Sequence, residues 1–371
     1  TTLANWETKT EKPVFIFEAT DIFGNSVSSQ YTLIISNLPQ LKSITSPAPQ
    51  NCKLEQPIQI NANFSSAITL TDDELTGSYI LLTNIKKDSS EKECKAVYKS
   101  GAGSQTIIFE YIPVEGDYTD TDKNVGVKYE EVTKTEGDTE TTYANNLIRN
   151  CDKLKDGENV HLNTLLSSSV LNGKQIKVDA VSPKVDQISI SAAKEALKAG
   201  ETVTATATFT ESILVQGSPK LKLKVGSADF ELNLESSTST TITFKGTVTT
   251  GLNGKISYND KCITDSKDIT DNYQNVLITD DTQLTESNYV IDTTPPVKPT
   301  VKNSSGNELL AGNYQTKVDF VVESPDTDIS KYEYSLDGGV SWDDCTNTNK
   351  GSVAQSSAQL CARVTDNAGN V

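Results

Sequence analysis

The sequence predicts an all-β protein made of several β-sandwich modules in tandem. Three observations lead to this prediction: strands of alternating apolar and polar residues recur along the chain, two long segments repeat each other, and linkers that contain proline separate them. With 371 residues, the chain has room for two to four domains of ordinary size.

The alternation is clearest at residues 202–210, which read T-V-T-A-T-A-T-F-T. Val203, Ala205, Ala207 and Phe209 share one face and threonines form the other, which is typical of a half-buried strand. The same pattern recurs at residues 58–64, 221–225 and 318–322. The only helical signature, at 191–200 (S-A-A-K-E-A-L-K-A-G), predicts no more than a turn or two.

The repeats align two segments of the chain. Residues 61–68 (N-A-N-F-S-S-A-I) match 206–213 (T-A-T-F-T-E-S-I), and 104–109 match 239–244. The first copy is longer, because it carries polar insertions at 83–95 and 130–142. We expect both insertions to be loops rather than additional domains.

Linkers and corners repeat as well. The linkers at 176–184 (I-K-V-D-A-V-S-P-K) and 289–297 (Y-V-I-D-T-T-P-P-V) each join a strand end to an aspartate and then to proline, which stops a strand. The motif D-x-x-G-N occurs at 21–25 and 366–370, and 271–275 is a degenerate copy with Gln274 in place of glycine. Glycine and asparagine tolerate positive φ, so we expect hairpin corners at these places.

These signals divide the chain into four modules. Residues 1–39 form the closing hairpin of a partial module, 40–183 a sandwich with loop insertions, 184–296 a complete sandwich, and 297–371 a sandwich that lacks its last strand. The chain lacks methionine and stops at a corner resembling the one near its start, so we expect an interior stretch of a longer array.

The residues at 198–217 (K-A-G-E-T-V-T-A-T-A-T-F-T-E-S-I-L-V-Q-G), with P-K-L-K-L-K-V after them, resemble the bacterial Ig-like repeats of large secreted or cell-surface adhesins. The linker I-D-T-T-P-P and the corner at 366–370 are typical of the same repeats, and Y-S-L-D-G-G-V-S-W at 334–342 resembles a second bacterial Ig-like type. The resemblance covers nearly the whole chain and is weaker at 40–183. It implies tandem immunoglobulin-like β-sandwich modules in an extended array.

Calcium is the sharpest chemical hypothesis, because hard cations take carboxylate and carbonyl oxygens from loops. The linker aspartates Asp179 and Asp292 and the corner aspartates Asp21, Asp271 and Asp366 lie where consecutive modules would meet. In some adhesins that these repeats resemble, such aspartates bind calcium between domains and stiffen the array. The alternative is that each aspartate caps its own turn in water.

The six cysteines form no C-x-x-C pair, which argues against a zinc site, and their even number fits disulfides in an oxidising compartment. The best pair is Cys345 with Cys361, because both fall in one short module. Six cysteines are unusual for the repeats that the chain resembles, and buried free thiols are the alternative.

Charge and composition exclude several functions. Lys+Arg number 33 against 50 Asp+Glu, for a net charge of -17, which opposes nucleic acid and anionic lipid as partners. A single histidine disfavours histidine-based catalysis. The sequence contains no run of about 18 apolar residues of the kind that would predict a membrane span. With so many carboxylates, no catalytic pair can be singled out.

The sequence therefore predicts a non-catalytic segment of a bacterial surface or secreted adhesin-like protein, working as a stalk or as a module that contacts cells. Its partners would be neighbouring Ig-like modules of the same chain and a protein or glycan receptor. One alternative is a self-assembling subunit of a surface layer, sheath or filament. Another is an accessory region of a secreted polysaccharide-degrading enzyme, in which Trp342 would stack on sugar; packing beside the D-G-G turn is the competing role for this side chain.

Overall fold

The computed structural model describes residues 14–32, 39, 41–119, 126–129, 132–136, 139–143, 148–151, 175–258, 261–279, 287–312, 316–354 and 358–371. Regular structure in these ranges is almost entirely β-strand, with one short α-helix at Asp72–Leu75 and one 3-10 turn at Ser266–Asp268. No helix among the described residues is long and apolar enough to cross a membrane. The predicted all-β fold is confirmed.

The chain divides into two compact units. The first contains Thr1–Pro113 and Tyr118–Val178, and the second contains Val114–Asp117 and Asp179–Val371. The module boundaries predicted at 39, 183 and 296 stay predictions.

Among the described residues, fifteen strands begin in the first unit. They are β1 (Val14–Thr20), β2 (Ser26–Thr32), β3 (Leu41–Thr45), β4 (Asn51–Lys53), β5 (Ile58–Phe64), β6 (Tyr79–Thr83), β7 (Lys86–Lys87), β8 (Ser90–Glu91), β9 (Cys94–Ser100), β10 (Thr106–Tyr111), β11 (Lys128–Tyr129), β12 (Val132–Glu136), β13 (Thr139–Tyr143), β14 (Ile148–Arg149) and β15 (Lys177–Asp179).

The main sheet of the first unit has the order β11-β6-β9-β10-β5-β3, with β14 also paired to β6. Its alternating strands bury one face: in β5, Ile58, Ile60 and Ala62 are fully buried, whereas the polar residues between them are partly exposed. Two-stranded pairs complete the unit, namely β1-β2, β4-β15, β7-β8 and β12-β13.

Both polar insertions contain a short hairpin where loops were expected. The β7-β8 hairpin lies in the insertion at 83–95. The β12-β13 hairpin covers most of the insertion at 130–142 and ends one residue beyond it, at Tyr143; residues 130, 131, 137 and 138 are outside the described ranges. Apolar periodicity did not reveal these strands, because backbone pairing forms them from polar residues such as lysine, threonine and glutamate.

In the described part of the second unit there are seventeen further strands. They are β16 (Val185–Ala192), β17 (Ala196–Leu197), β18 (Thr202–Phe209), β19 (Leu214–Val215), β20 (Lys220–Val225), β21 (Ala228–Ser237), β22 (Thr241–Thr247), β23 (Asn253–Ser257), β24 (Ile263–Thr264), β25 (Ile269–Thr270), β26 (Val290–Asp292), β27 (Thr300–Asn303), β28 (Val318–Glu323), β29 (Ile329–Ser335), β30 (Asp343–Asp344), β31 (Lys350–Val353) and β32 (Cys361–Asp366).

Strands β16 to β26 surround one large core. The strand order is β16-β18-β22-β21-β20-β23-β26-β17, with β24 on β20 and a separate β19-β25 pair. The residues assigned to the inward face of β18 are buried as predicted: Val203, Ala205 and Ala207 at 0% exposure and Phe209 at 7%. They pack with Leu221, Leu223, Ile242, Phe244 and Ile291, among others.

The predicted helical turn at 191–200 is wrong. The segment instead contains β17, which pairs in parallel with β26. Leu197, at 0% exposure, joins the core, and the free energy of burying this side chain outweighs the helix propensity of its alanine and lysine neighbours.

The last part of the second unit is a small sandwich. Sheets β27-β28-β31 and β30-β29-β32 enclose Phe320, Val322, Cys345 and Val364. The rings of Phe320 and Tyr334 meet edge to face, with 5.1 Å between centroids and 83° between planes, so side chains from the two sheets contact each other in this core.

Candidate metal centres

The three predicted corners, at 21–25, 271–275 and 366–370, share one hydrogen-bond pattern. In each, the aspartate Oδ1 accepts the backbone N–H of the asparagine four residues later, at 2.9, 2.8 and 2.9 Å, and its Oδ2 accepts the asparagine Nδ2–H at 2.9, 2.7 and 2.8 Å. The fourth residue has positive φ: +82° at Gly24, +69° at Gln274 and +90° at Gly369. Each aspartate therefore forms its own turn.

Two of these corners also bind a linker. The Asn275 Nδ2–H donates to the backbone carbonyl of Asp179 at 2.8 Å, and the Asn370 Nδ2–H donates to that of Asp292 at 2.9 Å. In both places the corner asparagine thus holds the linker beside the corner aspartate.

The first acidic cluster consists of Asp179, Glu211 and Asp271, each of which offers a carboxylate oxygen within 4.8 Å of the others. Asp271 is 2% exposed, and the other two are half-buried. All three lie in the second compact unit, and Glu211 follows β18 by two residues.

A fourth acid, Glu115, interacts electrostatically with this cluster. Its Oε1 accepts the backbone N–H of Ser182 at 3.2 Å, and Val114–Asp117 belongs to the second unit.

Burial and mutual repulsion dominate the electrostatics of the first cluster. Burial raises the pKa of Glu211 to about 7, and the charges of Asp179, Asp271 and Glu115 contribute to that increase. Burial also raises the pKa of Asp179, and Asp271 and Glu115 reinforce the effect against the opposing hydrogen bond from Val181. Concentrated negative charge of this kind costs stability without a cation or a proton.

Two carboxylate oxygens at this place are buried without a hydrogen-bond partner: Glu211 Oε1 and Glu115 Oε2. A buried acceptor without a donor costs about 1–3 kcal/mol, and more when it is charged. The donor set consists entirely of oxygen, which fits a hard cation such as Ca²⁺.

The second acidic cluster consists of Asp292, Asp328 and Asp366, again with carboxylate oxygens within 4.8 Å of one another. Asp366 is 1% exposed, Asp292 is half-buried, and Asp328 is exposed. Asp292 Oδ1 accepts the Thr294 N–H at 2.9 Å, and the backbone carbonyl of Asp328 accepts the Asn367 N–H at 2.9 Å. Within the described ranges, no carboxylate oxygen of this cluster is buried without a partner.

Asp21 belongs to the first compact unit, whereas both clusters belong to the second. Its corner is exposed, and among the described residues no group of three acids includes it. The hydrogen bonds from the Asn25 side chain and backbone lower the pKa of Asp21, which keeps the turn-forming carboxylate ionised. Here the structure shows the turn without a cluster of ligands.

Sequence reasoning singled out two members of each cluster and missed the third. Glu211 falls in the repeat T-A-T-F-T-E-S-I, at the position that Ser66 holds in the first copy. Asp328 lies in the loop between β28 and β29. Both follow the second long strand of their predicted modules, but no local spacing links them to their cluster partners, which lie 32 to 60 positions away along the chain.

The structure does not support a Cys345–Cys361 disulfide, because both are free thiols. On one side of β29, the Cys345 N–H donates to the carbonyl of Tyr332. On the other side of β29 lies β32, whose Cys361 pairs with Ser335 of β29. The two cysteines are therefore separated by two strand spacings of about 4.8 Å each, and their combined length exceeds the Cα–Cα separation of about 7 Å that a disulfide tolerates. Cys345 also lies in the core beside Val364, whereas Cys361 shares the opposite strand face with Arg363.

Trp342 is held by its neighbours. The guanidinium carbon of Arg363 lies 4.1 Å from the centroid of its ring, and its Nε1–H donates to Gly339 O at 3.1 Å. Arg363 in turn donates to the buried Glu333 at 2.8 Å. Arg363 therefore covers one face of the ring.

No protein-family model and no curated protein matches this chain at a significant level. Among solved structures, it is similar to a tetra-tandem repeat in the extending region of a large adhesion protein, with 9% identity over 96% of this chain and 78% of that one and a TM-score of 0.26. The Escherichia coli adhesin FdeC matches at 10% identity over 91% and 96%, with a TM-score of 0.27. An ectodomain fragment of ICAM-5 matches at 9% identity over 96% and 83%, with a TM-score of 0.30. Likenesses this distant assign no family.

Proposed function

We propose that this chain is a non-catalytic segment of a bacterial surface or secreted adhesin-like protein, in which Ig-like modules act as a stalk or as contact modules. The observation that carries the proposal is the repeated joint: a linker aspartate, a corner aspartate and a third acid converge twice, around Asp179 and around Asp292. In both, a corner asparagine binds the linker backbone. Repetition of a joint rather than of a pocket favours a mechanical role.

The proposed cofactor is calcium. In the first cluster Asp179, Glu211 and Asp271 would hold it, and in the second Asp292, Asp328 and Asp366 would do so. Bound Ca²⁺ would neutralise the clustered charge and tie each linker to a corner and to a loop beyond a core strand. Asp21, predicted as a ligand from its motif, has a turn-forming role in this proposal.

Isothermal titration of the chelator-treated chain with Ca²⁺ tests the site. We expect binding that Asp179→Asn and Glu211→Gln weaken at least tenfold, because each removes one carboxylate charge from the coordinating set. Asp21→Asn is the matched control and should leave binding unchanged. Equal binding by all four proteins would contradict the assignment.

The mechanical role requires a separate measurement. Stretching single molecules by force spectroscopy should give unfolding forces for the second unit that rise with Ca²⁺ and do not rise in Glu211→Gln. Unfolding forces that are low and independent of calcium would contradict a stalk whose joints the cation stiffens.

The other candidate roles give distinct outcomes. Calcium-induced sheets or filaments in electron micrographs would identify a surface-layer or sheath subunit instead. Glycan binding that Trp342→Ala abolishes would indicate an accessory region of a polysaccharide-degrading enzyme. The stacking of Arg363 on Trp342 argues against this second role, because it occupies ring surface.

We place the protein outside the cell, at the bacterial surface, on the strength of the sequence motifs and the acidic composition. A receptor would contact the β7-β8 and β12-β13 hairpins, because the module at 40–183 carries these additions to an otherwise regular sandwich. Deleting residues 86–91 should then reduce cell binding without unfolding the chain. Unchanged binding after this deletion would mean that the β7-β8 hairpin is not part of the contact surface.

A further inference from the structure

The corner at 366–370 has a second anchor that involves no carboxylate cluster. The Lys194 Nζ donates to the backbone carbonyl of Ala368 at 2.6 Å, and the Lys198 Nζ donates to that of Gly369 at 2.7 Å. The two lysines come from the predicted module 184–296, whereas the corner closes the predicted module 297–371. The contact lies within the second compact unit.

Glu201 organises the lysines. Its Oε1 lies 3.0 Å from the Lys194 Nζ, and its Oε2 accepts the backbone N–H of Lys198 at 2.9 Å. Between the lysines, Leu197 is fully buried and pairs with Ile291 across β17 and β26. The loop that presents the two ammonium groups is therefore fixed at both ends before it meets the corner.

The corner is shaped to receive them. Ala368 is 1% exposed, so a larger side chain would not fit there without a shift of its neighbours. Gly369 has a φ of +90°, which a sharp backbone turn requires and which glycine adopts without strain. At the equivalent place in the corner at 21–25, Phe23 is 83% exposed. The corner at 366–370 is thus packed against other residues, whereas the corner at 21–25 is exposed at this position.

We propose that Lys194 and Lys198 form a clasp, independent of any cation, that keeps the joint between the predicted modules 184–296 and 297–371 ordered when the second acidic cluster holds no calcium. The two lysine ammonium groups, by donating to backbone carbonyls of the corner, supply what a bound ion would otherwise contribute. They place positive charge at the acidic corner and link the two sides of the joint. The clasp rests on the contacts alone, whereas its importance for an array under load rests on the proposed function.

Hydrogen exchange of the intact chain in chelator tests the clasp. In K194Q/K198Q, we expect the amides of Asn367, Gly369 and Asn370 to exchange about tenfold faster than in the wild type, which is the effect of losing one hydrogen bond to a charged group. The matched control K220Q/K245Q removes two exposed lysines that pair with Glu231 and Glu235, and it should leave this segment unchanged.

A second variant leaves the lysines in place. In A368F, the bulk of the ring should separate the corner carbonyls from the ammonium groups and raise exchange by a similar factor. Strand β18 is the internal standard, and A368F decides the outcome if K194Q/K198Q also loosens β18. If β18 is unaffected, wild-type protection of the corner in both variants would overturn the clasp. If K194Q/K198Q loosens β18, wild-type protection of the corner in A368F would overturn it.

Repeating the experiment in millimolar Ca²⁺ separates the two proposals. Recovery of protection in K194Q/K198Q means that clasp and ion hold the same joint in parallel. Loss of protection that Ca²⁺ does not reverse leaves the clasp standing and counts against calcium at the second cluster.

Discussion

The two acidic clusters are built by the same backbone device and differ in their surroundings. In both, a corner asparagine binds a linker aspartate, but the first cluster has Glu211 and Glu115 with buried unpartnered oxygens, whereas the second has the exposed Asp328. Lysine ammonium groups contact the corner of the second. The same turn therefore has different surroundings: buried carboxylate oxygens without a hydrogen-bond partner lie at the first cluster, and two lysine ammonium groups contact the corner of the second.

The largest expected effect concerns what the clusters share. Asp271→Ala and Asp366→Ala should each lower the free energy of unfolding of the second unit by about 3 kcal/mol, because each removes a buried acceptor of several backbone and side-chain hydrogen bonds. Urea unfolding in chelator measures the loss. Asp21→Ala, at an exposed corner with the same bonds, should lose clearly less. Equal losses at all three corners would show that burial and the linker contact contribute nothing.

Calcium should separate the clusters. At a concentration 100 times the dissociation constant, a bound ion stabilises the native state by about 2.7 kcal/mol. We expect Glu211→Gln to remove most of the calcium-induced rise in the free energy of unfolding and Asp328→Asn to remove little, because the exposed carboxylate gains less from the ion. Calcium-dependent thermal unfolding of the two variants measures the difference. A larger loss in Asp328→Asn would reverse the ranking of the clusters.

Without metal, pH should act on the first cluster. The pKa of Glu211 rises from 4.5 to about 7 in the folded chain, so the native state binds the proton more tightly than the unfolded state. The resulting stabilisation is complete below about pH 4.5 and is lost as the pH rises through 7. After a discount for partial exposure, we expect about 1–2 kcal/mol between these limits.

Glu211→Gln isolates this effect from the titration of other acids. Because glutamine mimics the protonated carboxyl group, the variant should be more stable than the wild type near pH 8 in chelator and equal to it near pH 4.5. The same substitution should therefore stabilise the chain without calcium and weaken its response to calcium. A wild type that is more stable than the variant at pH 8 in chelator would contradict the repulsion described for this cluster.

The smallest effect should come from Asp328→Asn in chelator, at about 0.5 kcal/mol or less, because its side chain is exposed and water screens its repulsion. Its backbone carbonyl, which accepts the Asn367 N–H, remains in place. Urea unfolding beside Glu211→Gln gives the comparison. A stabilisation equal to that of Glu211→Gln would mean that the two clusters are equally strained.

Local pattern predicted much of the fold. The period of two in T-V-T-A-T-A-T-F-T predicts both the strand and its buried face, because alternate side chains lie on opposite sides of a sheet. Helix propensity misled at 191–200, where the burial of Leu197 decides the outcome. The polar hairpins of the insertions have no apolar period, so their pairing was not visible in the sequence.

By itself, the sequence determined the all-β class and the positions of the aspartate corners and linkers, because each is a local pattern repeated along the chain. Only the tertiary structure decided which acid completes each cluster, which oxygens lose their partners, and which lysines reach Ala368 and Gly369. It also decided that Cys345 and Cys361 lie on opposite sides of β29. These features depend on distances between residues far apart in the chain, which packing sets and composition does not.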